Sequence, residues 1–255
     1  MSTGTYAPKP GAAPVGRMIA AQTVLETKML LRNGEQLLLT VIIPSLLLVL
    51  FSNVDIVDTG ADKAVDFLAP GVLALAVMST AFTGQAIATG FERRYGVLKR
   101  LGASPLPRWA LMTAKTLSVL VTEVLQVALL TAIALGLGWS PQGDPVSVLL
   151  LLVLGTAAFS GLGLLMAGTL RAEATLAAAN LVFLLLLVGG GVIVPLDRFP
   201  DAARSVLELL PISALSDGLR DVLQGGAGMP WGQGLTLAVW AVLGLGAAAR
   251  FFRWE

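Results

Sequence analysis

The sequence predicts an all-α membrane protein with six transmembrane helices, and three observations carry that prediction. Of 255 residues, 56% are hydrophobic and only 13% are charged, a balance far from that of a soluble domain. The charges are also segregated: six stretches of 19 to 28 residues are free of charge except for one interior Glu, and each is close to or above the ~20 residues that cross a bilayer. His and Cys are both absent, which removes zinc sites built on them, haem axial His, Ser-His or Cys-His nucleophiles and disulfides. Soluble enzymes and most membrane hydrolases are thereby excluded.

Taken in chain order, residues 1–16 are rich in Pro, Gly, Ala, Ser and Thr and are expected to be a flexible cytoplasmic tail. No apolar run follows their basic residues, so no cleaved signal peptide is expected. Residues 17–34 predict an amphipathic interfacial helix, with Met18, Ala21, Leu25 and Met29 on one side and Arg17, Glu26, Lys28 and Arg32 around the rest of the wheel. Residues 35–255 form the transmembrane domain, with spans expected at about 37–53, 67–91, 112–138, 145–170, 174–195 and 231–250. The first span is short and contains Pro44. Asp144 before Pro145 is an acidic cap ahead of a first-turn proline, so a tight hairpin should join the third and fourth spans. Trp109, Trp231 and Trp254 fall near span ends, where indoles anchor at the interface. Gly161, Gly163 and Gly189 to Gly191 are read as close-packing or kink sites.

Six spans place both termini on one side, and Lys and Arg decide which side that is. With the termini inside, 13 of the 17 basic residues are cytoplasmic: Lys9, Arg17, Lys28, Arg32, Arg93, Arg94, Lys99, Arg100, Arg108, Lys115, Arg171, Arg250 and Arg253. Only Lys63, Arg198, Arg204 and Arg220 lie outside, among ten acidic residues that include Asp55, Asp58, Asp62 and Asp66. The chain is therefore expected to be multi-pass in the cell inner (plasma) membrane, with both termini cytoplasmic.

Two segments hold more than crossing a bilayer requires. Glu92 to Trp109 reads ERRYGVLKRLGASPLPRW, in which Phe91, Tyr95, Leu98 and Leu101 have helical spacing and Gly102 and two prolines end the run. This predicts a short amphipathic helix on the cytoplasmic face. It serves either as a topology and lipid-binding loop or as a lever on which a soluble partner acts. The segment from Pro195 to Pro230 is 36 residues long, too long for a simple turn. Pro211 divides it, and Ile212, Leu215, Leu219 and Val222 line up opposite Asp217, Arg220 and Asp221. A pair of short helices dipping into the outer leaflet is expected there, as a lid over an exit or as an ordinary outer hairpin.

Glu123 is the one ionisable residue well inside a span, where a carboxylate costs several kcal/mol unless paired, protonated or hydrated. Thr122 beside it and Gln126 one turn on make a polar stripe. Two roles are open: Glu123 serves cargo passage or a functional bond between helices, or it makes a structural bond to Asn180, Thr80 or Thr83.

FERRYGVLKRLGASPLPRW at residues 91–109 resembles a loop of the form acidic-Arg-x-x-Gly-x-Leu-x-Arg-Leu-x-x-x-Pro. That loop occurs in the membrane subunit of type 2 ATP-binding-cassette (ABC) exporters, in particular the drug-resistance branch with the daunorubicin-type efflux permeases. FPDAARSVLELLPISALSDGLRDVLQGG is similar to the same family's outer segment before the last span. The resemblance implies that Glu92, Arg93, Gly96, Leu98, Arg100, Leu101 and Pro105, with Lys99, form a coupling helix that contacts an ATPase. Lys99 stands where many members have an acidic residue, a departure that bears on charge pairing with that ATPase. Pro200, Pro211 and Arg220 fall at recurrent positions of the family's outer segment and are read as the outer gate, while the polar stripe of Glu123, Thr122 and Gln126, with Asn180, is read from the residues themselves as the candidate substrate pathway.

By the same resemblance, two ABC ATPase subunits and a second membrane subunit, identical or related, complete the machine, and the surrounding partner is membrane lipid, with no nucleic acid. ATP and Mg would be bound by the ATPase and no cofactor by this chain, which has no G-x-x-x-x-G-K-[ST] loop. The implied activity is outward transport of a hydrophobic or amphipathic compound of the drug or antibiotic class. Export of a cell-envelope polysaccharide or lipid is the alternative within the family, and an ion-coupled secondary transporter using Glu123 is the alternative outside it.

Overall fold

The computed structural model describes residues 11–34, 38–53, 63–192, 196–226 and 228–253. Among them all regular structure is helical. The elements are α1 (Val15–Arg32); α2, a π turn (Leu38–Ile42) running into Ile43–Asn53; α3 (Ala64–Arg94); α4 (Val97–Gly102); α5 (Arg108–Gly136); α6 (Pro145–Thr169); α7 (Ala172–Gly189); α8 (Asp201–Leu207); α9 (Pro211–Leu223); and α10 (Trp231–Phe251). Helices α3, α5, α6, α7 and α10 are long and apolar enough to cross a membrane. Six spans were expected; the first window instead gives the shorter apolar α2, whose described residues 38–53 rise about 24 Å at 1.5 Å per residue. Most of the expected tail, Asp55, Asp58, Asp62 and Trp254 lie outside the described residues.

Helix α3 is the hub. Its apolar stretch is 94% buried, against 17% for α7, because α2, α5, α6 and α7 pack around it and α9 covers its first turns. Pro70 lies inside α3 and lacks the N–H that would bond Asp66 O four residues back. Gln224, just beyond α9, donates to that freed carbonyl at 2.5 Å. A π segment follows at Met78–Gly84, and here α6 comes so close that a Cβ on Gly163 would stand 2.8 Å from Phe82 O. Helices α6 and α10 also meet backbone to backbone: a Cβ on Gly161 would lie 2.5 Å from the amide nitrogen of Leu245. Both contacts are the small-residue packing by which membrane helices approach closely.

The ends of the elements follow local chemistry. Asp144 accepts from Ser147 N at 2.9 Å and Val146 N at 3.3 Å ahead of Pro145, so α6 begins where the acidic cap and proline direct. A bond from Ser147 Oγ at 2.8 Å, together with these two, holds the exposed Asp144 carboxyl below its ordinary value. The fifth expected span, 174–195, stops earlier: α7 ends at Gly189 and the chain turns through Gly191 at φ 67. Residues 193–195 lie outside the described residues.

The bundle has two unlike ends. At one, which we call the basic end, α1 packs along the start of α5, with Thr23 Oγ1 donating to Ala114 O at 3.4 Å. Arg253 N bonds Gly168 O at 3.1 Å at this same end. At the opposite, acidic end, α9 closes over α3, α6 and α10, and Gln142 N bonds Leu223 O at 3.0 Å. Both the first helix and the last therefore finish at the end that carries the basic loop.

Candidate functional site

The loop at the basic end is built on one glycine. Gly96 has φ 70, a left-handed conformation that disfavours a Cβ, and it turns the chain from α3 into α4. Leu98 is fully buried beneath α4, whereas Lys99 and Arg100 are exposed, as are Tyr95 and Pro105; Leu101 is half-buried. Ser104 Oγ donates to Leu101 O at 2.6 Å and accepts from Leu106 N at 3.3 Å, closing the turn that leads to α5.

Two residues of this motif face inward. Arg93 donates to Gly168 O at 2.7 Å and also to Leu170 O, satisfying carbonyls that α6 leaves open at its C-terminus. Glu92 Oε2 takes a 2.5 Å bond from Lys115 Nζ, which also reaches Glu26 Oε1 at 3.0 Å. Gln22 Nε2 donates to the same Glu26 oxygen at 2.9 Å. Lys115 is only 3% exposed. One lysine thus ties α1, the end of α3 and α5 together. Arg94 pairs with Glu173 of α7 in the open, where such a pair contributes little.

Deeper in the bundle, Glu123 is 4% exposed. Its Oε2 accepts from Thr156 Oγ1 of α6, not from Asn180, Thr80 or Thr83. Its Oε1 has no hydrogen-bond partner among the described residues, and Thr83, Gln85, Thr89 and Ser160 also hold buried polar atoms without one. Thr156 Oγ1 additionally lies 2.7 Å from Leu152 O, four residues back on its own helix. Gln126 accepts from Thr80 at 2.9 Å and donates to Thr40 O, joining α5 to α3 and α2. Thr122 bonds its own helix, at Ser118 O. Asn180 stands apart: it is exposed on α7 and bonds Leu176 O of that helix at 2.9 Å. The resulting polar core is shared by α2, α3, α5 and α6. Within this bonded set, Glu123 Oε1 is the acceptor left open among the described residues.

At the acidic end, Pro200 precedes α8 and Pro211 opens α9. The apolar face of α9 is buried, with Ile212, Leu215, Leu219 and Val222 all closed to solvent. The expectation that Arg220 lies opposite this face, on the polar side, is corrected. Arg220 is buried: its guanidinium sits 3.8 Å over the Phe67 ring, donates to Val192 O at 2.9 Å and pairs with Asp217 at 2.9 Å. Its length and the small residue at Gly71 allow this, since a Cβ there would come 2.8 Å from Arg220 Nη2. Burial pushes the Asp217 carboxyl up, and Arg220 opposes that shift.

Sequence reasoning missed Thr156, Lys115 and Glu26 as site residues. Lys115 at the edge of an apolar span was the available signal, while Glu26 was one of four charges on an amphipathic helix; which groups they would meet was not encoded locally.

A family model described as ABC-2 type transporter matches residues 19–223. A protein of Bacillus subtilis (strain 168) named transport permease YvfS is 27% identical over 216 residues, covering 82% of this chain and 87% of that relative. Linearmycin resistance permease protein LnrN of the same organism is 30% identical over 139 residues, which is 53% of this chain and 35% of that protein's length. The matched region takes in the basic loop, the polar core and the covering helix α9, and the chain belongs to the ABC-2 type transporter family: it is a transport permease, an integral membrane subunit that is not catalytic by itself.

Proposed function

We propose that this permease exports a hydrophobic or amphipathic compound of the drug or antibiotic class, driven by ATP that a separate ABC ATPase hydrolyses. The observation that carries the reading is the mounting of α4. Its exposed face presents Lys99 and Arg100, while buried Leu98 and the Glu26–Lys115–Glu92 cluster join its base to three helices. A push on such an element moves α1, α3 and α5 together, because breaking a buried charge pair costs several kcal/mol. The polar core around Glu123 lies on two of the elements so moved, α3 and α5, and its open acceptor would bind cargo differently once those helices shift. Differential binding between two states is what lets ATP drive uphill movement.

Two ATPase subunits and a second membrane subunit complete the proposed machine, with the basic end cytoplasmic by the positive-inside rule. Assignment of a drug-class cargo draws on the resistance permease among the relatives and on apolar walls around a small polar centre. The α8–α9 cap, pinned by Arg220, is the proposed outer gate.

The test is reconstitution of the permease with an ABC ATPase that co-purifies with it, reading ATP hydrolysis against a panel of hydrophobic drugs and lipids. Stimulation by one class, lost in Arg100→Glu while the protein stays folded, is expected. Flat hydrolysis across the panel overturns drug export. Transport by the permease alone, in vesicles with an ion gradient and no ATPase, overturns ATP coupling in favour of ion coupling.

A further inference from the structure

At the basic end, a cavity of about 440 Å³ opens between α5, α6 and α10. Leu164 of α6 forms its floor, Trp109 of α5 and Leu245 and Ala248 of α10 its walls, and Arg108 and Arg250 its rim. Among the described residues, no Asp or Glu lines it. Depth decides what this arrangement suits. Arg108 is the first residue of α5 and Arg250 the last but one of α10, so both stand where spanning helices meet the headgroups. Leu245 lies five residues before Arg250, which carries the apolar part about 7.5 Å further into the hydrocarbon. The N-terminus of α5 has no side-chain cap, so the positive end of its dipole adds to the two guanidinium groups.

A cationic rim over an apolar slot at headgroup depth complements a molecule with an anionic head and a hydrocarbon tail. We propose that the groove binds an anionic phospholipid of the leaflet at the basic end. Its phosphate lies between Arg108 and Arg250, and the upper part of one acyl chain lies over Leu164. Inorganic or glycerol-linked phosphate shares the head chemistry but makes no use of the apolar floor. The site is separate from the polar core and from α4, and it does not depend on what the permease transports. A lipid held there would bridge α5, which carries Lys115, to the last span.

The test uses the purified full chain in detergent, titrated by native mass spectrometry with phosphatidylglycerol, with phosphatidylcholine of the same acyl chains, and with glycerol phosphate. Phosphatidylglycerol is expected to bind about tenfold more tightly than phosphatidylcholine, and glycerol phosphate not measurably. The Arg108→Gln/Arg250→Gln double variant should lose the preference. Leu245→Trp keeps both cations but fills the slot, and should weaken both lipids. Arg17→Gln/Arg32→Gln, on the exposed surface of α1, should retain the preference.

The proposal is overturned by equal retention of the two lipids, or by glycerol phosphate binding as tightly as phosphatidylglycerol, which would indicate a small-anion site. A preference that survives both groove variants, or falls with the α1 variant, would indicate a diffuse basic surface and overturn it equally. A change of oligomeric state in the groove variants with lipid retention unaltered would reassign the groove to contact between copies and overturn it too.

Discussion

The charge cluster at the basic end and the polar core around Glu123 both bury ionisable groups in a membrane protein, but they do so in opposite ways. Around Lys115, the lysine reaches both carboxylates, and Gln22 adds a further bond to Glu26. Around Glu123 there is one carboxylate, one hydroxyl partner and an oxygen left open. A closed network favours one arrangement of its helices, because any displacement leaves buried charge unpaired. An open one has bonding capacity left for a ligand, a water or a moving helix. The contrast is between a closed charge network, which resists displacement of its helices, and a polar core with bonding capacity to spare, which on the proposed function are the joint and the cargo site respectively.

The sharpest way to break the comparison is Lys115→Met. Two buried carboxylates lose their shared cation, and the folded state should lose about 3–5 kcal/mol, seen as loss of monodisperse protein in size-exclusion chromatography and a lower Tm. Lys115→Met/Glu26→Gln/Glu92→Gln removes all three charges and should recover much of the stability. If the single variant is as stable as the parent, the cluster is not a joint.

Next in size is Gly163→Ala, whose Cβ would meet Phe82 O at 2.8 Å. Separating α6 from the π segment of α3 should cost about 1–3 kcal/mol, measured by thermal unfolding in detergent. It should also disturb the polar core more than the basic end, read as altered transport with unchanged ATPase binding.

Glu123→Gln should be milder for stability, within about 1 kcal/mol, since an amide keeps a hydrogen bond to Thr156. Its effect should fall on transport in the reconstituted complex. Unchanged transport would make the open oxygen a structural feature and end the contrast.

The smallest effect is expected at Asp144, outside both regions. Its carboxyl is held below the ordinary value of 3.8, first by the Ser147 hydroxyl and then by the backbone N–H groups of Ser147 and Val146. A depressed folded-state value means that the stabilisation is present above pH 3.8 and is lost as the pH falls through the lower, folded value. Asp144→Ala should therefore lower Tm slightly at neutral pH and remove that acid-side dependence. A variant that loses more than Gly163→Ala would show the hairpin, not the polar core, to be the fragile point.

Much of this architecture was legible in the residues because the bilayer imposes a local rule: a helix must be long and apolar, and its ends must be charged, capped or broken. Asp144 with Pro145 marked a helix start and Pro211 the division of the outer segment, whereas the helix expected to run on from Phe91 to Leu101 is broken at Gly96, whose left-handed backbone starts a separate helix at Val97. The Glu123, Thr122 and Gln126 stripe was visible as polar groups in an apolar run. Arg220 was not read correctly, because its spacing put it on the polar side of α9 while its length lets the guanidinium reach back over Phe67.

By itself, the sequence determined which segments are apolar helices, where most of them begin and which end of the bundle is basic, since each depends on neighbours a few residues apart. Only the tertiary structure decided that Lys115 gathers Glu26 and Glu92, that Glu123 meets Thr156 and leaves Asn180 outside, and that Gln224 answers the carbonyl freed by Pro70. Those pairings join residues up to 158 positions apart. They are set by how the helices cross, a geometry that helical periodicity does not contain.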